Sequence, residues 1–196
     1  MPVGTVRQYR ITEGGVLLPI GCDDFTGQEI DANLVSVDHL ASNVETYTLS
    51  KGDPVKVLVS YSCHCWSSAY DPTSHASDLI RINDGAQQRV HDPARHGLSY
   101  QLPELIKQLT HHNVYVTASE RNYGCYNAKV LAADGLFYTA YFTVRRDKGR
   151  FNGIRHSLRL NVESAYLRVQ PDHGSRTSIN AIVAAALDGK VIKYKR

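Results

Sequence analysis

Long apolar runs are missing from this 196-residue chain. No stretch approaches the roughly 18 consecutive apolar residues of a membrane span, and Met1 to Arg10 lacks the apolar core of a signal peptide. A cytosolic protein with no membrane partner is therefore expected. Cysteine is scarce as well. Cys22, Cys63, Cys65 and Cys125 are too few and too irregularly spaced for the disulfide framework of a small secreted fold, so reduced thiols are expected. A phosphate-cradling glycine loop, a paired-carboxylate motif and the helical His-Glu-His pattern are all absent, which leaves NTP hydrolysis and the common metalloprotease chemistry without support. Internal repeats and low-complexity segments are absent too.

What the chain does have is an uneven distribution of charge. Residues 121–196 carry 14 Lys and Arg against 5 Asp and Glu, whereas residues 1–120 carry 8 against 14. Cations clustered in this way concentrate phosphate and give a salt-dependent affinity that a mixed surface lacks. RNA or another polyanion is the expected partner. The plainer reading is that the basic part meets the acidic part of the same chain, or of a cognate or inhibited protein.

The apolar content of 42% can fill an ordinary core. Residues 1–90 read as an acidic, β-rich part and residues 91–196 as a basic α+β part, packed as one unit. Val3 to Ile11 with Val16 to Ile20, and Val44 to Leu49 with Val55 to Tyr61, suggest two hairpins around glycine-containing turns. Ser67 to Ser77 reads as a polar loop. Helices are expected over Pro103 to His112, where Leu105, Ile106 and Leu109 share a face, and over Ser178 to Leu187.

Between these helices, Ala118 to Asp134 reads as a loop or ragged hairpin. Leu136 to Arg146 and Ser157 to Val169 read as long strands joined by a basic connection from Arg145 to Arg155. In the second strand the parity of Leu158, Leu160 and Val162 is broken by Ala165, Leu167 and Val169, so a bulge is expected near Glu163 and Ser164. The sum is an α+β fold with a mainly antiparallel sheet and two helices.

Three constellations bear on chemistry. Cys63-His64-Cys65, with Cys22 and Cys125, offers zinc-type ligands, but adjacent residues of a strand face opposite ways and the two-residue gap of a zinc knuckle is missing. Buried structural cysteines beside Trp66 explain the triplet as well. The second constellation is Arg89, His91, Arg95, His96, Ser99 and Tyr100, ahead of the first expected helix. Arginines near a helix N-terminus suit a phosphate, and histidines suit proton transfer at a ribose hydroxyl. A capped loop with solvated histidines is the plainer alternative. The third is the basic strand pair, where Arg145, Arg146, Arg155 and Arg159 suit nucleic-acid phosphates and Tyr138, Tyr141 and Tyr166 suit stacking.

Residues 89–170 resemble the barnase-EndoU-colicin-RelE group of ribonucleases, many of them bacterial or phage-associated toxins. The resemblance rests on order: a helix with His and Arg upstream, then a sheet whose later strand ends in hydroxyl residues, here Leu160-Asn-Val162-Glu-Ser164-Ala165-Tyr166. It implies RNA cleavage without metal or other cofactor, by attack of the 2′-hydroxyl on the adjacent phosphate. His91 or His96 would act as base or acid, Arg95 and Arg159 would steady the phosphate, and Ser164 or Tyr166 would hydrogen-bond it. Two other functions remain open: a non-catalytic nucleic-acid-binding or partner-inhibiting protein, and a zinc-binding accessory protein.

Overall fold

A computed structural model of the chain describes residues 9–11, 16–19, 37–49, 53–75, 81–83, 88–117, 124–132, 135–169 and 174–193. The backbone of the central element is a long antiparallel pair, β10 (Phe137–Phe151) and β11 (Ile154–Arg168). Asn152 and Gly153, both at positive φ (47° and 81°), make the two-residue turn between them. The expected basic connection from Arg145 to Arg155 is therefore the far end of a continuous hairpin. Its charged side chains stay in strand because Arg145, Arg146 and Gly149 to Phe151 pair across to β11.

The register of this pair contains the expected bulge. Phe142 lies opposite Val162 but Tyr141 lies opposite Ser164, so Glu163 is the extra residue. That single insertion lets Leu158, Leu160, Val162 and Ala165 share the core face with Tyr138, Ala140, Phe142 and Val144, all of them buried. A second irregularity lies between Arg146 and Gly149.

Five further strands complete the main sheet: β3 (Asn43–Tyr47), β4 (Val55–Tyr61), β8 (Val114–Val116), β9 (Cys125–Leu131) and β12 (Ser175–Thr177). Their order is β12-β8-β9-β10-β11-β4-β3. The hairpin expected between residues 44 and 61 is β3 paired with β4, which then lies parallel to β11. The acidic and basic parts of the chain thus share one sheet. The expected loop over residues 118–134 contains strand β9, whose Tyr126 and Ala128 join the core.

A second sheet has the order β1-β2-β6-β7-β5, built from β1 (Tyr9–Ile11), β2 (Val16–Pro19), β5 (Ser67–Ala69), β6 (Arg81–Asn83) and β7 (Gln88–His91). β1 and β2 form the other expected hairpin. β5 occupies the start of what reads as a loop in sequence, since three residues with no apolar alternation carry no strand signal. The fold is α+β with mostly antiparallel pairing and two parallel pairs, β4 with β11 and β2 with β6.

Among the described residues there are three α-helices rather than two: α1 (Pro93–Ser99), α2 (Leu102–Lys107) and α3 (Ile179–Leu187). α1 is the unexpected one; a proline, a glycine and a histidine within seven residues hide it, while Asp92 caps it by accepting from the Arg95 backbone N–H at 3.0 Å. α2 is shorter than the expected 103–112 helix, but Leu102, Leu105, Ile106 and Leu109 are buried as its periodicity requires. Ser178 caps α3 through the Ala181 N–H, and Ile179, Ile182, Val183 and Ala186 pack into the same core. The Tyr47 hydroxyl donates to the Ile106 carbonyl at 2.9 Å and ties β3 to α2. No helix among the described residues is long and apolar enough to cross a membrane.

Candidate active site

The chain leaves β4 at Tyr61 and turns beside β11. The Ser62 N–H donates to the Val162 carbonyl at 2.9 Å, and Cys63–Cys65 form a 3-10 turn rather than the strand that alternation assumes. β5 then pairs with β7, placing Ser67 opposite His91. The Asp92 N–H donates to the Trp66 carbonyl, and α1 begins against the stretch of β11 beyond its pairing with β4. This connectivity brings His91 from the end of β7 and His96 from α1 to one place.

His39, from a 3-10 turn at Asp38–Leu40, completes a cluster of three imidazoles. His91 and His96 meet edge to face with centroids 5.0 Å apart, and His39 lies 5.6 Å from His96. Tyr100 stacks on His39 at 3.8 Å and 15°. Ser99 holds the arrangement: its hydroxyl donates to the His96 carbonyl at 2.7 Å and lies 2.7 Å from His39 Nε2. The Nε2 of His91 is buried and has no hydrogen-bond partner among the described residues. Burying an imidazole nitrogen without a partner costs free energy, a cost that His156 Nδ1 and the Tyr138 hydroxyl also bear.

Arg95 precedes His96 on α1 and turns toward β5 and β11. It pairs with Asp92 at 3.5 Å, donates to the Ser67 carbonyl at 3.1 Å, and lies 5.2 Å from the Tyr166 ring centroid. Arg168 lies over the same ring at 5.6 Å, and Tyr141 stacks on it at 5.3 Å. The Glu163 bulge is what puts Tyr166 opposite Thr139, on the face away from the core. Arg89 is buried and donates twice to Ser67, which fixes the β5–β7 pair supporting the cluster. The phosphate site read from sequence was the N-terminus of the expected 103–112 helix; the helix these residues form is α1, and its N-terminus is filled by the Asp92 carboxylate.

Burial, reinforced by neighbouring His96, lowers His39 from the ordinary 6.5 to about 4. Burial also lowers His91, again with His96 adding to it. Both rings are neutral at pH 7. Below pH 6.5 the unfolded chain takes up protons at these sites before the folded chain does, so stability rises with pH across this range. The melting temperature is therefore expected to drop as pH falls from 6.5 toward about 4, and His39→Gln is expected to flatten that profile. A profile unchanged by the substitution would show that His39 does not carry the effect.

Of the residues singled out in the sequence, His91, His96, Arg95 and Tyr166 converge here, whereas Ser164 sits two positions before Tyr166, opposite Tyr141. Arg159 does not join them. It is seven residues from Tyr166, roughly 20 Å along the strand, and its Nε donates to Asp147 at 2.6 Å. Its expected role with Arg95 on one phosphate is corrected accordingly. Arg145 lies opposite Arg159, and Arg155 shares their side by alternation, but Arg146 lies opposite Leu158 on the other side of the ribbon. A groove of about 480 Å³ near this end is lined by Lys56, Arg155, Ser157 and Leu187, and none of its lining residues belongs to the histidine cluster. Sequence reading missed His39 and its stacking on Tyr100; a single histidine 52 residues upstream of His91 carries no spacing signal.

The four-cysteine zinc site is corrected as well. Cys65 is fully buried with its Sγ against the Val162 carbonyl of β11 at 3.6 Å, while Cys125 lies on β9, two strands away. Two strand spacings are roughly 10 Å, too far for shared ligation. Burial pushes the Cys65 thiol far above its ordinary range, which disfavours the thiolate a metal needs. Cys22 lies outside the described residues, and among those described no three His, Cys, Asp or Glu side chains are arranged to hold a metal. Cys63, Cys65 and Cys125 carry reduced thiols, as expected.

The model of the YjaZ family matches residues 27–187, most of the chain and the whole of the cluster described above, and the chain belongs to that family. No curated protein and no solved structure matches it.

Proposed function

We propose that this YjaZ-family protein is an endoribonuclease of the toxin-like kind, working by acid–base chemistry at His91 and His96. The observation that carries the reading is the edge contact of these two imidazoles, their centroids 5.0 Å apart, with Arg95 next to His96 on the same helix. Neutral His91 takes the proton of a ribose 2′-hydroxyl, the 2′-oxygen bonds to the adjacent phosphorus, and the bond from phosphorus to the 5′-oxygen breaks. His96 returns a proton to that 5′-oxygen, and a 2′,3′-cyclic phosphate is left. Arg95, held by Asp92, Ser67 and Tyr166, neutralises the charge that grows on the non-bridging oxygens. Incubation of the protein with RNA in chelator, followed by mapping of the ends, tests this. Cyclic phosphate ends are expected, and RNA left intact by folded protein would overturn it.

The exposed side chains of Arg145, Arg146, Lys148, Arg150 and Arg155 favour a second reading, a protein that binds a polyanion through the hairpin end. Phosphate contacts there release counterions on binding. Replacing Arg145, Arg150 and Arg155 together by Ala is expected to lower the slope of log K against log salt for single-stranded RNA by about 2, at roughly 0.7 per lost contact. An unaltered slope would remove the hairpin end from the binding surface. Binding with that slope but no cleavage would favour this reading over the first.

A further inference from the structure

Tyr100 is exposed to 58%, and no other Phe, Tyr or Trp among the described residues is exposed. An aromatic ring left in water is ordinary when it stands alone, but this one is held flat. One face is covered by His39, nearly parallel at 3.8 Å. The other is left to solvent. His39 is itself fixed through Ser99, whose hydroxyl also holds the His96 carbonyl, so the two stacked rings and His96 are bound into one rigid unit. The Tyr100 and His96 centroids are 5.5 Å apart. A flat, open, pre-oriented ring at this distance from an acid–base pair offers a stacking surface that costs little entropy to use.

We infer that Tyr100, backed by His39, is the platform on which an unpaired nucleobase of the RNA substrate stacks, setting the neighbouring phosphodiester against His96 and Arg95. This rests on the ribonuclease reading and narrows its substrate to single-stranded RNA. A base inside a duplex has both faces occupied by its neighbours and cannot lie on the ring. The low proton affinity of His39 keeps the stack uncharged at neutral pH, so the platform takes any base by its π face and leaves phosphate recognition to Arg95.

The test uses the full chain and a labelled 2′-O-methyl oligonucleotide, which binds but lacks the attacking hydroxyl. Tyr100→Ala is expected to weaken its binding about tenfold, while Tyr100→Phe, which keeps the ring, is expected to bind like the unaltered protein. A matched strand of abasic residues is expected to bind all three proteins equally, an outcome that a general loss of structure would not produce. Equal binding of the intact strand by Tyr100→Ala and the unaltered protein would overturn the platform, as would an equal loss on the abasic strand. The two proposals fail separately. Ring-dependent binding without cleavage of ordinary RNA removes the nuclease and keeps the platform, and cleavage with no dependence on Tyr100 does the reverse.

Discussion

Under the ribonuclease proposal, replacing His91 or His96 by Ala is expected to lower the rate of RNA cleavage by about 10²- to 10⁴-fold, the range of a positioned acid or base, while RNA binding and the circular dichroism spectrum stay as they were. The two losses are expected to overlap rather than multiply in the double variant, because without the acid the 5′-oxygen must leave as an unprotonated alkoxide whether or not the base is present. His91 is the more informative single change. Burial lowers its proton affinity, so activity limited by His91 as base is retained down to a lower pH than an unperturbed imidazole would allow. The acidic limb of the pH–rate profile is thus expected below pH 6.5, and its disappearance in His91→Ala is the signature. A rate that survives both substitutions would place the chemistry elsewhere and leave the hairpin end as the functional surface.

Phe142→Ala is expected to destabilise the fold by about 3–5 kcal/mol, the usual cost of emptying a large aromatic from a core. Phe142 is fully buried opposite Val162, next to the bulge, with the Tyr126 ring 6.0 Å away. Strands on both sides close over it, so the space has little freedom to collapse. Chemical denaturation of the two proteins measures the difference. A loss below about 1 kcal/mol would mean that the hairpin repacks, and hence that the bulge is a looser joint than its register implies. The same experiment bears on the site, because Tyr166 reaches Arg95 only while Glu163 remains the looped-out residue.

Much of the main sheet was legible in the chain. Val55 to Tyr61, the long strands on either side of residue 150 and the helix after Ser178 all carry a period or a cap that points to one structure. The parity break after Val162 pointed to the bulge, because side-chain alternation admits no other way to bury Ala165 on the face of Val162, although Leu167 and Val169, the rest of that apolar set, are exposed. Strand β9 and helix α1 were not legible. β9 puts Asn127 and Lys129 between its apolar residues, and α1 holds Gly97 next to His96, so local preference is weak and the packing of neighbours decides.

The candidate site divides along the same line. His91, Arg95 and His96 lie within six residues, and their chemistry could be named from residue type and spacing. Their company could not. Tyr166 arrives from β11, Ser67 from β5 and His39 from a turn far upstream, and each meets the histidines only because the chain leaves β4, crosses into the second sheet and returns as α1. Contacts across such separations are set by which strands pair and which way each face turns, information that is spread over the whole core and held by no short segment. The basic end of the hairpin shows the converse. Its charge was visible in the composition of residues 121–196, yet tertiary structure placed Arg159 roughly 20 Å along β11 from Tyr166 and bound it to Asp147, because a strand that must run straight to satisfy its backbone carries its two ends apart.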